Sequence, residues 1–245
     1  MLHCRAGPER RLAAGAQAHN VQVKSMAKNK EIKSPGVIEV LIGMGLSMML
    51  GALLAVAHLV FRPVEVVRGL PKEPADGVRY QIEGASSSSA KGRWVGKVKS
   101  IRDKVSGEVL LNESDMNAWS GATFQQAEVP VDKPPSFALV SGVPNFRVDG
   151  DKLQVGSVND LYIYGGIAKL VVGVKGGFVK SAGGWEYKVS EFYVGGFPVH
   201  KVPMISAPVL ARLMVAAGEQ QEISAVLDQA SVLKVSNGSL VVRMP

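Results

Sequence analysis

The chain has 245 residues, 47% of them hydrophobic and 20% charged, with a formal net charge of +7 at pH 7 and one cysteine, Cys4. The basic excess is uneven: residues 1–36 carry seven Lys or Arg against Glu9 and Glu31, whereas Arg62 to Pro245 carries 21 against 18 acids. Cations gathered at one end argue against a nucleic-acid surface, and a domain without cysteine folds without disulfides or thiolate metal ligands.

Residues 1–25 show no sustained periodicity, and Met26 opens a short Lys-rich lead, MAKNKEIKSPG, into an apolar run. Two readings stay open here: translation starts at Met26, or residues 1–36 form a basic cytoplasmic tail. Val37 to Phe61 holds no Lys or Arg and only Glu39 and His58 as ionisable groups. As a helix it spans about 37 Å, more than the roughly 30 Å hydrocarbon core of a bilayer. The run predicts a single membrane-spanning helix. Lys24, Lys28, Lys30 and Lys33 precede it, with Arg5, Arg10 and Arg11 further back, and Arg62, Arg68 and Lys72 come after it. That bias puts the N-terminus inside and the C-terminal domain outside the cytoplasm, as in a bacterial inner-membrane protein with a periplasmic domain.

Ala55-Val56-Ala57 offers a signal-peptidase pattern. The apolar run before it exceeds the roughly 7–15 residues of a signal-peptide core, which favours an uncleaved anchor. Gly43, Ser47, Gly51 and Ala55 recur every fourth residue, the small-residue stripe with which membrane helices pair, either as a homodimer or with another envelope protein. Glu39 and His58 lie near the ends of the run, where polar tips reach the interface.

Residues 62–75 read as a Pro-containing connector and 76–245 as one domain, opening on a strand at Val78–Glu83. After the polar run Ser86–Ser89, the apolar residues Trp94, Val98, Ile101 and Val105 keep helical spacing, with Gly107 as the stop. The other faces carry Lys91, Arg93, Lys97, Lys99, Arg102 and Lys104 against Asp103. Lys91, Lys97, Arg102 and Lys104 are candidates for contact with anionic lipid headgroups, and an ordinary solvated face is the alternative. Glu108–Leu111 reads as a strand. Asn112 then caps a short helix bearing Met116 and Trp119, with Asp115 three residues on and Gly121 as its end. Glu113 and Asp115 resemble a pair of catalytic carboxylates, but acids in a first helical turn are explained by the helix dipole.

From Phe137 to Val194 the alternation is that of antiparallel strands. A hairpin is expected at Asp149-Gly150, strands at Leu161–Tyr164 and Ile167–Val174, and a turn at Lys175-Gly176-Gly177. Trp185, Tyr187 and Val189 alternate with polar residues up to Val194. The glycine pairs match no phosphate-loop or dinucleotide pattern. Gly195 to Pro203 breaks the pattern, Ser206 caps a helix with Val209, Leu210, Leu213, Met214 and Ala217 on one face, and Asn237-Gly238 turns a terminal hairpin.

His200 is the only histidine after the apolar run, set between Pro198 and Pro203, where an exposed, inert loop is expected. One histidine without cysteines makes no zinc set, and no G-x-S-x-G elbow is present. No catalytic residue, metal or cofactor is expected.

The segment Glu108-Val-Leu-Leu-Asn-Glu-Ser-Asp-Met-Asn-Ala-Trp119 is similar to the strand leading into L-T-E-x-E-L-N in membrane-anchored bacterial proteins of the YpmS-like and BPI-like (TULIP) lipid-binding superfamily, with Asn117 at the family-like Asn. Val194-Gly-Gly-Phe-Pro-Val199 resembles that group's strand end before a long helix. The resemblance covers roughly residues 76–245. It implies a curved antiparallel sheet wrapped on a helix, holding an apolar chain such as a lipid tail, without catalysis. The groove so implied would be lined by Tyr162, Tyr187, Val209, Leu213 and Met214. The expectation is therefore an α+β chain: one N-terminal transmembrane helix, then one domain of curved antiparallel sheet packed on helices. Its function is lipid binding or, alternatively, envelope assembly through protein and helix contacts.

Overall fold

The computed structural model describes residues 36–126, 128–129, 135–182, 184–202 and 229–245. The chain divides into two units, Met1–Gly45 and Leu46–Pro245. Helix α1 (Val37–Val60) is 24 residues long and opens with Glu39 accepting the Gly36 amide at 3.1 Å. Among the described residues it is the one helix long and apolar enough to cross a membrane.

Beyond α1 the chain is α+β. A parallel pair, β1 (Val64–Val67) and β2 (Arg79–Ile82), comes first. Helix α2 (Ala90–Arg102), strand β3 (Gly107–Asn112) and helix α3 (Glu113–Thr123) are next. The largest sheet contains β4 (Phe137–Val140), β5 (Asn145–Asp149), β6 (Lys152–Ile163), β7 (Gly166–Ser181), β8 (Gly184–Val194) and the short β9 (Phe197–Pro198). β4 and β5 pair with opposite ends of β6, and all neighbours are antiparallel. A 3-10 turn spans Val199–Lys201. The final strands β10 (Val232–Ser236) and β11 (Ser239–Met244) form a hairpin whose outer partner is β3.

One face of the long sheet packs against the three-stranded sheet. Leu153, Val155, Phe178, Trp185 and Tyr187 meet Leu233, Val235, Leu240, Val242 and Met244, with Ile101 and Met116 contributed by the helices. The Trp185 indole donates to the Ala230 carbonyl at 2.9 Å, so its polar atom is satisfied inside the cluster.

A second cluster gathers Phe192, Phe197 and Val199 around the last turn of α1, through Val56, Leu59 and Val60. Those three residues are half-buried, while the rest of α1 is exposed. The Gly196 amide donates to the Leu59 carbonyl at 3.0 Å. Gly195 lies at φ +58°, and a Cβ there would stand 1.7 Å from the Val60 carbonyl oxygen. Both the left-handed backbone and the close approach require glycine.

β2 lies against the long sheet through a notch. Gly156 and Gly173 face one another across β6 and β7, and a Cβ on either would run into the side chain of buried Gln81.

The structure amends several expectations. Lys175-Gly176-Gly177 does not reverse the chain, because β7 runs unbroken for 16 residues. The glycines instead meet an irregularity where Lys175 pairs Glu191 and Gly176 pairs Val189, leaving Ser190 as an extra residue on β8. Helix α2 ends at Arg102, and Gly107 begins β3 rather than stopping the helix. Helix α3 passes Gly121 and ends at Thr123. β1 lies within the stretch read as connector, and β6 is one strand from Lys152 to Ile163. The expected helix after Ser206 lies outside the described residues.

Replacing Gly195 by Ala adds a side chain at positive φ and a backbone clash, a cost of at least about 2 kcal/mol. The thermal denaturation midpoint of the detergent-purified chain is expected to fall accordingly, with faster proteolysis around Val60. At the end of β5, a hydrogen bond from Lys175 of β7 holds the Asp149 carboxyl below the usual carboxylate range. A depressed folded-state pKa adds stability that is full above the unfolded value and disappears as pH falls through the folded one. The melting-temperature gap between the wild type and Asp149→Asn should therefore be constant at neutral pH and close below about pH 4.

Candidate functional site

Polar side chains converge where α2 and α3 meet the edges of β3 and β5. The capping box at the start of α3 forms as the sequence predicts. The Asn112 side chain accepts the Asp115 amide at 2.9 Å, and Asp115 accepts the Asn112 amide at 3.4 Å. Asp115 is wholly buried. Lys97 reaches its Oδ2 at 2.5 Å and also donates to the Leu110 carbonyl at 2.7 Å. Arg93 stands 3.9 Å from Oδ1, which has no hydrogen-bond partner.

One face of α3 substitutes for a strand along β5. Glu113 accepts the Val148 and Ala85 amides, each at 2.7 Å. Asn117 accepts the Phe146 amide at 2.6 Å and donates to the Phe146 and Ala85 carbonyls. Ser120 donates to the Pro144 carbonyl. The spacing 113, 117, 120 keeps all three on one side of the helix. The Asn112–Asn117 segment thus joins the start of α3 to the edge of β5 and to the loop after β2. Both carboxylates are occupied by backbone amides or cations.

Three open hollows border these helices. One of about 550 Å³ is lined by Arg68, Glu83, Ser86, Glu113, Asn145 and Arg147, among others. One of about 620 Å³ lies between Ser86–Ser88, Trp94 and the Asn117–Ala122 side of α3. The third, about 610 Å³, runs between α2 and β3.

The residues expected to face lipid headgroups separate. Lys97 turns inward to Asp115, while Arg102 and Lys104 are exposed. Lys91 lies in the first turn of α2, and its side chain is outside the described residues. Gly43, Ser47, Gly51 and Ala55 lie on α1 and are exposed.

Tyr162 and Tyr187 are not brought together. Tyr162 pairs with Ile167 near one end of β7, and Tyr187 pairs with Phe178 near the other. Tyr187 belongs to the main core, donates to the Leu153 carbonyl, and has its phenol pKa raised by burial. Val209, Leu213 and Met214 lie outside the described residues.

His200 is not an exposed loop residue. It is half-buried in the 3-10 turn, its Nδ1 lies 3.2 Å from the Phe192 amide and 3.0 Å from the Phe192 carbonyl, and its ring meets Tyr193 edge-on. Arg79 lies 3.8 Å over Tyr193 and donates to the Gly195 carbonyl at 2.6 Å. Burial lowers the Arg79 pKa, against the pull of Tyr193 and Glu191. No signal in the sequence links Arg79 to the Gly195 turn, because the contact spans 116 positions.

Among the described residues, no three of His, Cys, Asp and Glu come together as metal ligands would. Comparison with protein-family models, curated proteins and solved structures gives no significant match to this chain.

Lys97→Met leaves the Asp115 carboxylate buried with its main cation gone, which costs about 3 kcal/mol. In a double-mutant cycle, Asp115→Asn should recover much of that loss, since an uncharged amide keeps the helix cap. Chemical denaturation of the four variants reads both effects.

Proposed function

We infer that the chain is a membrane-anchored, non-catalytic assembly module that presents its α+β domain on the extracytoplasmic side of a bilayer and works through protein contacts. The observation that carries this reading is the end of α1. Val56, Leu59 and Val60 pack into the domain's second cluster, and the Gly196 amide bonds to Leu59. An apolar helix of membrane-spanning length is therefore continuous with the folded domain, as an anchor that positions a domain would be. The Lys/Arg excess before the helix supports the outward placement of the domain. The side chains best suited to acid–base work are engaged in the scaffold: Glu113 and Asp115 at strand and helix ends, His200 at Phe192. The exposed stripe of Gly43, Ser47, Gly51 and Ala55 gives the anchor a face on which a second helix fits closely.

Fractionation of cells expressing the full chain tests the anchor. The protein should stay with membranes through salt and carbonate washes and leave only with detergent. A C-terminal reporter should be active only outside the cytoplasm. Recovery in the soluble fraction without detergent would overturn the reading. Crosslinking should capture a protein partner or a second copy, with reduced yield for Gly51→Leu. A tightly co-purifying lipid with no crosslinked protein would instead favour the lipid-holding role implied by the resemblance.

A further inference from the structure

The chain makes two tight hairpin turns of the same kind and fills them differently. Each has two central residues at positive φ: Asn237 (+49°) and Gly238 (+71°) between β10 and β11, Tyr164 (+45°) and Gly165 (+85°) between β6 and β7. Asn followed by Gly is the pair such a turn favours. A tyrosine held in the left-handed region is strained, and its side chain is 90% exposed, so packing within the domain does not offset the strain.

The strand ends around Tyr164 share its apolar character. No charged residue occurs from Leu161 to Ala168, and β4, which pairs there, reads Phe137-Ala-Leu-Val140. The alternation of an apolar and a polar face stops here. Phe137, 74% exposed, and its partner Ile163 lie on one face of the sheet, whereas Ile167, 61% exposed, and its partner Tyr162 lie on the other. A polar collar closes this apolar end. Asp160 and Lys169 face each other across β6 and β7 in an ion pair of 2.5 Å, and Gln126 donates to the same carboxylate at 3.0 Å.

A docked protein covers one face of a sheet. A tip that is apolar on both faces, with an aromatic apex, suits a medium that surrounds it. The lipid–water interface is such a medium, and tyrosine is enriched there. The anchor brings that interface near. The Gly196 amide bonds Leu59 in the last turn of α1, and the Gly195 amide bonds the Val171 carbonyl of β7. From Val171 to Tyr164 the extended chain covers about 23 Å.

We propose that the β6–β7 hairpin tip inserts into the interfacial layer of the bilayer that α1 crosses, with Tyr164 at its apex and Phe137, Ile163 and Ile167 around it. The Asp160–Lys169 pair stays at the level of the headgroups. The proposal rests on the membrane-anchored reading and adds to it a second, lipid-contacting site.

The test places the full chain, carrying Cys4→Ser, in phosphatidylcholine vesicles with an environment-sensitive fluorophore on one introduced cysteine. Phe137→Cys and Ile167→Cys report the two faces of the tip, and Asn237→Cys reports the other hairpin as a reference. Lipids bearing a nitroxide high on the acyl chain quench a fluorophore that reaches them. Blue-shifted emission is expected at positions 137 and 167, with quenching at least about threefold stronger than at 237. Tyr164→Asn should reduce that quenching about twofold while leaving the melting temperature unchanged or higher, since asparagine suits the turn better. Circular dichroism confirms that each variant is folded. Water-like emission at the tip, or equal quenching at all three positions, overturns the proposal. Quenching on one face only also overturns it and marks a protein contact. A blue shift that the nitroxide lipids do not affect, and that fades as the chain is diluted in lipid, overturns it in favour of a second copy. Flotation of the vesicles reads the anchor separately: a chain that floats with an unquenched tip refutes this proposal alone, and a chain that does not float refutes both.

Discussion

Burial of the Asp115 carboxylate constrains this domain most. With no exposed surface, it is stable only inside a shell of donors and cations. Lys97 supplies the cation from α2, the Asn112 amide supplies a donor from the end of β3, and Asp115 itself sits in the first turn of α3. Lys97 also bonds the β3 carbonyl of Leu110, so one ammonium joins three elements. Once α2 and α3 are fixed in this way, Ile101 and Met116 fall into the core between the sheets.

A second constraint comes from positions without side chains. Gly156 and Gly173 make room for Gln81, which seats the β1–β2 pair on the long sheet. Gly195 and Gly196 let the chain approach the carbonyls at the end of α1. Between them stands a column of Arg79, Tyr193 and His200, in which a half-buried guanidinium rests on a ring face and bonds a backbone carbonyl. Neither glycine pair contributes apolar area, yet each sets where a neighbouring element can lie.

Local signals in the sequence map well onto the fold. Asn112 with Asp115, the Asp149-Gly150 and Asn237-Gly238 turns, and the alternation of Trp185 and Tyr187 all act over a few residues, so spacing exposes them. Gly176-Gly177 misleads because a glycine pair serves a bulge as well as a turn, and only the flanking strands β6 and β8 decide between them. The roles of His200 and Arg79 escape a linear reading because their partners are set by tertiary packing. The edge of β3 beside α2 is equally hidden. Hydropathy marks Glu108–Leu111 as a strand but does not say which of its two sides another strand will fill.

The join between α1 and the domain leaves almost no slack. Val60 ends the helix, Val64 begins the first strand, and the last helical turn is already packed against Phe192, Phe197 and Val199. A domain on a long flexible leash samples a wide hemisphere and meets partners at many angles. Here any roll or tilt of the outer half of the helix is passed to the sheet without a swivel. The outer half of the helix and the sheet therefore behave as one piece, and a force applied to that half is felt directly at Phe192 and Phe197.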